Sequence, residues 1–289
     1  MNKQEIIDKI NKVVITVIAS VGIFALIGLF YFIIKEALPA LLNDGAGIFT
    51  SFDWYPTDYN NPEFGILAML IGSVLITFLA SIIVIPIGYM VAFFMFDYAN
   101  KYEKNILKST IDLLSGVPSV IIGSFLLFHV SPLFLKLGAW SGENILIGAF
   151  GLGILSLPYT ASLMQEAMNA VDKNLKEGAL ALGSTRFTAG FKVVSKAALP
   201  GILNAGILTI NRIIGETMVV LMVAGGAALI PRSFFDPVRP LTAAIAGEMG
   251  EVEMGSMHYH ALFLAGLTLL LISFVLTLIS KKMSRRWSH

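Results

Sequence analysis

Gly178, four residues, then Gly183-Ser184-Thr185 follows the phosphate-cradling pattern G-x-x-x-x-G-K-[ST] with its lysine missing. A working cradle needs a preceding strand, a flexible glycine-rich turn and a lysine for the β- and γ-phosphates. Here the preceding residues, EAMNAVDKNLK, read as helix, and ALAL between the glycines is helix-forming. The loop therefore does not bind nucleotide. A short helix fits better, favoured by Ala179, Leu180, Ala181 and Leu182 and stopped at Gly183. Leu180 with Phe187 or Phe191 supplies a small apolar face, with Lys173, Lys176, Arg186, Lys192 and Lys196 around it. Such a helix either docks in another protein's groove or lies on lipid.

Arg212 and Glu216 are the second set, two charges within an otherwise apolar run. On one continuous helix from Pro200, Arg212 sits about 18 Å along, near mid-bilayer. Each charge there costs at least ~2.5–3.5 kcal/mol, and the i, i+4 spacing lets the two pair. A structural ion pair is one reading. The other is an anion path, since the planar guanidinium fork donates two parallel hydrogen bonds to phosphate oxygens. Glu216 would then steady Arg212 and could take a proton from hydrogen phosphate, which sulfate lacks. Asn211 and Thr217 are neighbours on that path, and Ser119 lies beside Gly116 and Pro118, which weaken the helix in another apolar run. His258 and His260 point about 200° apart on a helix, a poor pair of metal ligands, and read as interfacial. Glu248, Glu251 and Glu253 read as solvated.

The elements that must position these residues are membrane spans. Of 289 residues, 56% are hydrophobic and 13% charged, about half the charge of a soluble domain. Uncharged or nearly uncharged runs cover 13–34, 64–96, 113–135, 144–165, 197–231 and 254–280. Each meets the ~20 residues a helix needs to cross the hydrocarbon core. Backbone groups in lipid must be satisfied within the segment, so the expected fold is all-α and polytopic with six transmembrane helices. The spans are placed at about 13–34, 66–96, 113–135, 144–165, 199–230 and 256–280 of a single 1–289 domain, with a loop at about 173–196.

Orientation follows from the basic residues. With the N-terminus inside, the inner segments hold Lys3, Lys9, Lys12, Lys101, Lys104, Lys108, Lys173, Lys176, Arg186, Lys192, Lys196, Lys281, Lys282, Arg285 and Arg286. The outer ones hold Lys35, Lys136, Arg232 and Arg239. Both termini are expected in the cytoplasm. The first run, followed by Lys35-Glu36 in place of a small-residue cleavage site, reads as a retained helix. Pro86 is expected to kink the long second run, and Gly116 and Pro118 weaken the start of the third. Trp54, Tyr55 and Tyr59 in the first outer loop suit the interface. Cysteine is absent, which removes disulfides and thiolate metal sites.

The 177–200 stretch resembles the cytoplasmic EAA loop of ABC importer permeases, E-A-A-x3-G-x9-I-x-L-P. Glu177, Ala179 and Gly183 match, Gly178 replaces the middle alanine, and Val193 stands for isoleucine. Ser195-Lys196 occupies the Leu-Pro place, and Leu199-Pro200 follows one turn later. LLSGVPSVIIG, NRIIGETMVVLMVAG, FDPVRPLTAAIAGEMGE and GSMHYHALFLAGL extend the likeness to PstC-type permeases of phosphate-specific ABC importers, over nearly the whole chain. The resemblance implies the type I importer permease fold in the plasma (inner) membrane and inward transport of inorganic phosphate. It implies a PstA-type second permease as heterodimer partner, a cytoplasmic ATPase dimer carrying the ATP and Mg, and an extracytoplasmic phosphate-binding protein. The chain itself would bind no cofactor and no nucleic acid, and would not be an enzyme. Glu177, Gly178, Ala179, Gly183, Arg186 and Phe187 would couple it to the ATPase. Sulfate or molybdate as cargo, or ATP-independent secondary transport with Arg212 and Glu216 relaying protons, are the rival readings.

Overall fold

The computed structural model describes residues 3–58 and 60–286. Tyr59 and the side chains of Lys3, Arg285 and Arg286, named above, lie outside the described residues. Among the described residues five helices are long and apolar enough to cross a membrane: Asn11–Asn43, Leu67–Tyr98, Ser119–Lys136, Ile145–Asn169 and Met257–Met283. The sixth unit is a bent pair, Arg186–Ala197 and Leu199–Ile214, which meet at 69°. The all-α polytopic architecture expected from the apolar runs is therefore present.

Helix α1 (Lys3–Asp44) is 42 residues long, roughly 63 Å at 1.5 Å per residue, so it outruns any bilayer. It lies along the final helix, α14 (Met257–Arg286), with Phe32 edge-on to Phe263 at 5.5 Å. Between them in sequence come α2 (Gly47–Thr50) and a two-stranded antiparallel pair, β1 (Trp54–Tyr55) and β2 (Glu63–Phe64), in register Trp54 to Phe64. Helix α3 (Leu67–Phe93) runs through Pro86 and ends in a π-helical turn, Phe94–Tyr98.

The third apolar run departs from expectation. Residues 113–115 belong to α4 (Lys101–Ser115), an amphipathic helix whose Asn100 and Glu103 form a reciprocal capping box. Gly116 caps its C-terminus, and Pro118, which favours extended geometry before a helix, stands just ahead of α5 (Ser119–Phe125). The crossing segment therefore starts at Ser119, six residues later than the run suggested. It continues through a π turn (Leu126–Val130) into α6 (Ser131–Lys136).

Helix α7 (Ile145–Asn169) is capped by Asn144 and fills the centre of the bundle against α3. Small residues make this possible. A Cβ on Gly151 would collide with Leu126 and Val219, and one on Gly88 of α3 would collide with Thr160. Close approach of backbones is the usual means of association between helices in lipid, where burial alone gives no drive. Ile76, Leu126, Ile147, Leu152, Ile213 and Val223 pack in the resulting core.

After α8 (Lys173–Ala181) the chain passes through α9 (Arg186–Thr188), a π turn (Ala189–Val194) and α10 (Ser195–Ala197) into α11 (Leu199–Ile214). The fifth run, read as one helix over 199–230, breaks here. Gly215 caps α11, α12 (Met218–Val223) is short, and irregular chain leads to α13 (Leu241–Glu248), whose first four residues are buried. A buried Thr160–Thr209 hydroxyl bond of 2.9 Å ties α7 to α11.

Candidate functional site

Arg212 stands in the last turn of α11, where a cation meets the partial negative charge of the helix C-terminus. It is exposed on this chain, and its guanidinium lies 5.3 Å from the centre of the Tyr159 ring. Glu216 lies past the helix end. Its N–H donates to Ile213 O at 3.1 Å, and its own carbonyl accepts from Thr242 Oγ1 at 3.0 Å. The i, i+4 face that would pair the two requires unbroken helix, and Gly215 interrupts it. Among the described residues Arg212 and Glu216 form no ion pair. This corrects the expectation that Glu216 holds Arg212 in place.

The neighbours are arranged as follows. Asn211 Oδ1 is buried with no hydrogen-bond partner, and Thr217 Oγ1 donates to Gly215 O at 3.4 Å. Ser119 opens α5 at the other break and is half-buried. Non-helical backbone at membrane depth is tolerated only against protein or a watery cavity. Both breaks, Gly116–Pro118 and Gly215–Thr217, are partly exposed on the single chain.

At the end of the bundle that carries the 173–196 loop, α8 forms where the sequence placed a short helix. Asp172 caps it by accepting from Asn174 N at 3.0 Å. Gly183, at φ +83°, ends it: its N–H donates to Leu180 O, and Ser184 N donates to Ala179 O. A β-carbon disfavours that left-handed conformation, so the glycine is required by the turn. Glu177 and Gly178 are exposed, Ala179 is half-buried, and Leu182 is 90% exposed. Phe187 and Phe191, 53% and 46% exposed, stack on each other at 5.4 Å and meet Phe93 edge-on. Ser195, at the place where the loop pattern has leucine, is buried and bonded: it accepts from Tyr89 OH at 2.8 Å and donates to Gly190 O at 3.1 Å. The polar substitution is thereby matched by Tyr89.

Arg186 stays 57% exposed at its side chain but reaches back to the end of α3. Its Nε donates to Asp97 Oδ1 at 3.0 Å, beside Lys176 Nζ at 2.6 Å. Sequence reading missed Asp97, although an aspartate directly after the 33-residue apolar run 64–96 is a visible signal.

The opposite end also holds more than expected. Glu248, read as solvated, accepts from Trp54 Nε1 at 3.2 Å, Arg239 Nη2 at 2.5 Å and His258 Nε2 at 2.6 Å. Its side chain is 16% exposed. His260 Nδ1 lies 2.7 Å from Glu36 O, so both histidines tie α14 to other elements. Trp54, Arg239, Glu248 and His258 line an open cleft of about 710 Å³, with Glu251 and Glu253 exposed at its rim. Glu248→Ala is expected to strand Arg239 and Trp54 together, costing ~2 kcal/mol after allowance for partial exposure. The melting temperature of the purified chain should fall by about 4–8 °C, and Glu248→Gln by less; an unmoved melting curve would show that the cluster carries no stability. Nearby, Asp236 caps the Arg232–Ser233 turn. Its carboxyl is held below the ordinary value, chiefly by the Trp140 indole bond and then by the Arg232 backbone N–H. That contribution is complete above the usual carboxylate range and is lost as pH falls through the lowered value.

Comparison with known proteins places this geometry. Residues 84–289 match the family described as binding-protein-dependent transport system inner membrane component. The chain is 33% identical over 280 residues to a Bacillus subtilis (strain 168) protein described as "Probable ABC transporter permease protein YqgH", covering 96% of this chain and 90% of that protein. It is 27% identical over 302 residues to the phosphate transport system permease protein PstC of Xylella fastidiosa (strain 9a5c), covering 98% and 92%. Among solved structures, a bacterial alginate ABC transporter in complex with an alginate pentasaccharide-bound periplasmic protein aligns with a TM-score of 0.68 at 14% identity over 96% of each chain, a likeness of fold alone. The five apolar helices and bent pair, a helical 173–196 loop without a nucleotide cradle, and these full-length similarities together establish that the chain belongs to the binding-protein-dependent inner-membrane permease family of ABC transporters, a transport subunit rather than an enzyme, related at moderate identity to PstC-type phosphate permeases.

Proposed function

We propose that this chain is the membrane-spanning subunit of an ATP-driven phosphate importer of the inner membrane, with both termini cytoplasmic. The observation that carries the reading is Arg212: an exposed guanidinium at a helix break, free of any carboxylate partner among the described residues, in a chain similar to phosphate permeases over nearly its full length. A guanidinium tied to Glu216 would be half-neutralised. Set over the Tyr159 ring instead, it keeps its donors for an anion. The same arrangement weakens the proton-relay reading, which needs the two side chains in contact.

In this reading α8 is the coupling helix. Glu177, Gly178, Ala179, Gly183, Arg186 and Phe187 belong to the face or framework that meets a cytoplasmic ATPase dimer, which holds the ATP and Mg. The exposed breaks at 116–118 and 215–217 face a second, PstA-type permease across the pore, with Ser119, Asn211, Glu216 and Thr217 along the path. An external phosphate-binding protein delivers cargo at the Glu248 end. ATP binding draws the two coupling helices together and opens the spans outward, and hydrolysis resets them.

The test is uptake into proteoliposomes holding the whole complex, with labelled phosphate, sulfate or molybdate on the binding-protein side and ATP at the coupling-helix face. Phosphate uptake that requires ATP supports the assignment. Uptake of sulfate or molybdate instead would move the chain to another oxyanion, and uptake without ATP would make it a secondary transporter.

A further inference from the structure

Asp97 is 2% exposed, and its side chain is fully buried, at the point where α3 leaves the apolar core. A buried carboxylate persists only if paired. Oδ1 accepts from Lys176 and Arg186, and Arg186 Nη2 also reaches the Asp97 carbonyl. The rings on either side of Asp97 take the same two cations: Lys176 Nζ lies 5.1 Å from the centre of Phe96, and the Arg186 guanidinium 5.2 Å from that of Tyr98. Oδ2 has no hydrogen-bond partner and lies against Gly190, where a Cβ would overlap it.

The two cations bracket the exposed tip of α8. Lys176 precedes Glu177, and Arg186 follows Gly183. The covalent connections on both sides are short turns, Ala170–Asp172 and Leu182–Thr185, about which a nine-residue helix could pivot freely. The carboxylate closes that freedom from both flanks. Tyr89 to Ser195, and Phe93 to Phe187 and Phe191, join the same end of α3 to the chain beyond. Helix α3 is packed along α7, and α7 is bonded to α11, the helix that carries Arg212.

We propose that Asp97 is a positioning residue that locks α8 to α3, so that displacement of the α8 tip moves the span instead of being absorbed in the loop. This rests on α8 being the coupling helix.

The experiment measures phosphate transported per ATP hydrolysed by the complete complex in proteoliposomes with loaded binding protein. Asp97→Asn removes the charge at constant size. Gly190→Ala displaces the carboxylate without touching the charge, at a buried site away from the tip. Both should retain the ATPase subunit and hydrolyse ATP, while phosphate per ATP falls roughly tenfold, within the usual range for coupling between sites. The double variant should be no worse than either single one, because both remove one contact. An unchanged ratio in Asp97→Asn overturns the proposal. If Asp97→Asn does not assemble, Gly190→Ala decides, and failure of both to assemble assigns the carboxylate to folding alone, against the proposal. A Leu182→Asp arm separates the two readings. If it keeps the ATPase, α8 is not the docking helix and both fall. If it sheds the ATPase while Asp97→Asn keeps the normal ratio, only the lock is wrong.

Discussion

Arg212→Gln is expected to lower phosphate uptake at least a hundredfold while the complex assembles and retains its basal ATPase activity. The two halves of this result have different physical sources. Loss of transport follows from the chemistry of the fork: two charge-assisted hydrogen bonds, each worth about 1.5–3 kcal/mol, disappear together, and every 1.4 kcal/mol is tenfold. Retention of the fold follows from what Arg212 touches. It is exposed, it has no carboxylate partner among the described residues, and its contact with the Tyr159 ring is worth about 0.5–1 kcal/mol at an exposed site. Arg212→Lys, which keeps the charge and loses the planar fork, should fall between wild type and glutamine. Glu216→Gln should be the milder change, since its side chain does not hold the guanidinium. Wild-type uptake in Arg212→Gln would place the phosphate path elsewhere. A complex that falls apart would make Arg212 structural.

What the sequence made legible was what is local. Apolar runs of the right length identify spans whatever they pack against, and ALAL before Gly183 predicts a helix and its stop within one turn of chain. One run boundary and one unbroken span were misread because glycine and proline have more than one use in an apolar stretch. Gly116 and Pro118 read as a weak place in a helix, but they separate two helices. Gly215 lies inside the span expected at 199–230, yet it caps α11 and so parts Arg212 from Glu216. The remaining losses are of partnership. Arg186 was read for its charge on a docking face, and nothing local names Asp97, 89 residues away, as an acceptor for it. Glu248 looked like its solvated neighbours Glu251 and Glu253. Its distinction is Trp54, 194 residues earlier. Periodicity says which face a residue is on and is silent about what that face meets.

Leu182→Asp is expected to release most of the ATPase from the purified complex and to reduce ATP-driven uptake about a hundredfold or more, with no change in the melting temperature of the permease itself. Leu182 is 90% exposed at the end of α8, the most exposed large aliphatic side chain among the described residues. Leu175 and Leu180, at 47% and 40%, lie on the same short helix. At the tip of a polar loop, away from the apolar spans, such a side chain gains nothing from the fold that presents it. In a partner's groove its burial contributes about 1.5–3 kcal/mol. Aspartate forfeits that and adds the cost of desolvating a carboxylate, so the combined loss exceeds the ~2.8 kcal/mol that corresponds to a hundredfold. Within the permease the change is a surface substitution, worth no more than about 0.5 kcal/mol. Leu182→Ala should be intermediate. Glu177→Lys, an exposed charge reversal, should weaken association modestly and more at low salt than at high salt, because exposed charges are screened. This ordering is what separates a docking helix from one that lies on lipid: an interfacial helix would also lose affinity for its surface with Leu182→Asp, but the ATPase would stay bound. Wild-type co-purification of the ATPase with Leu182→Asp would assign α8 to the bilayer surface and leave the motor's docking site to be sought on another cytoplasmic segment.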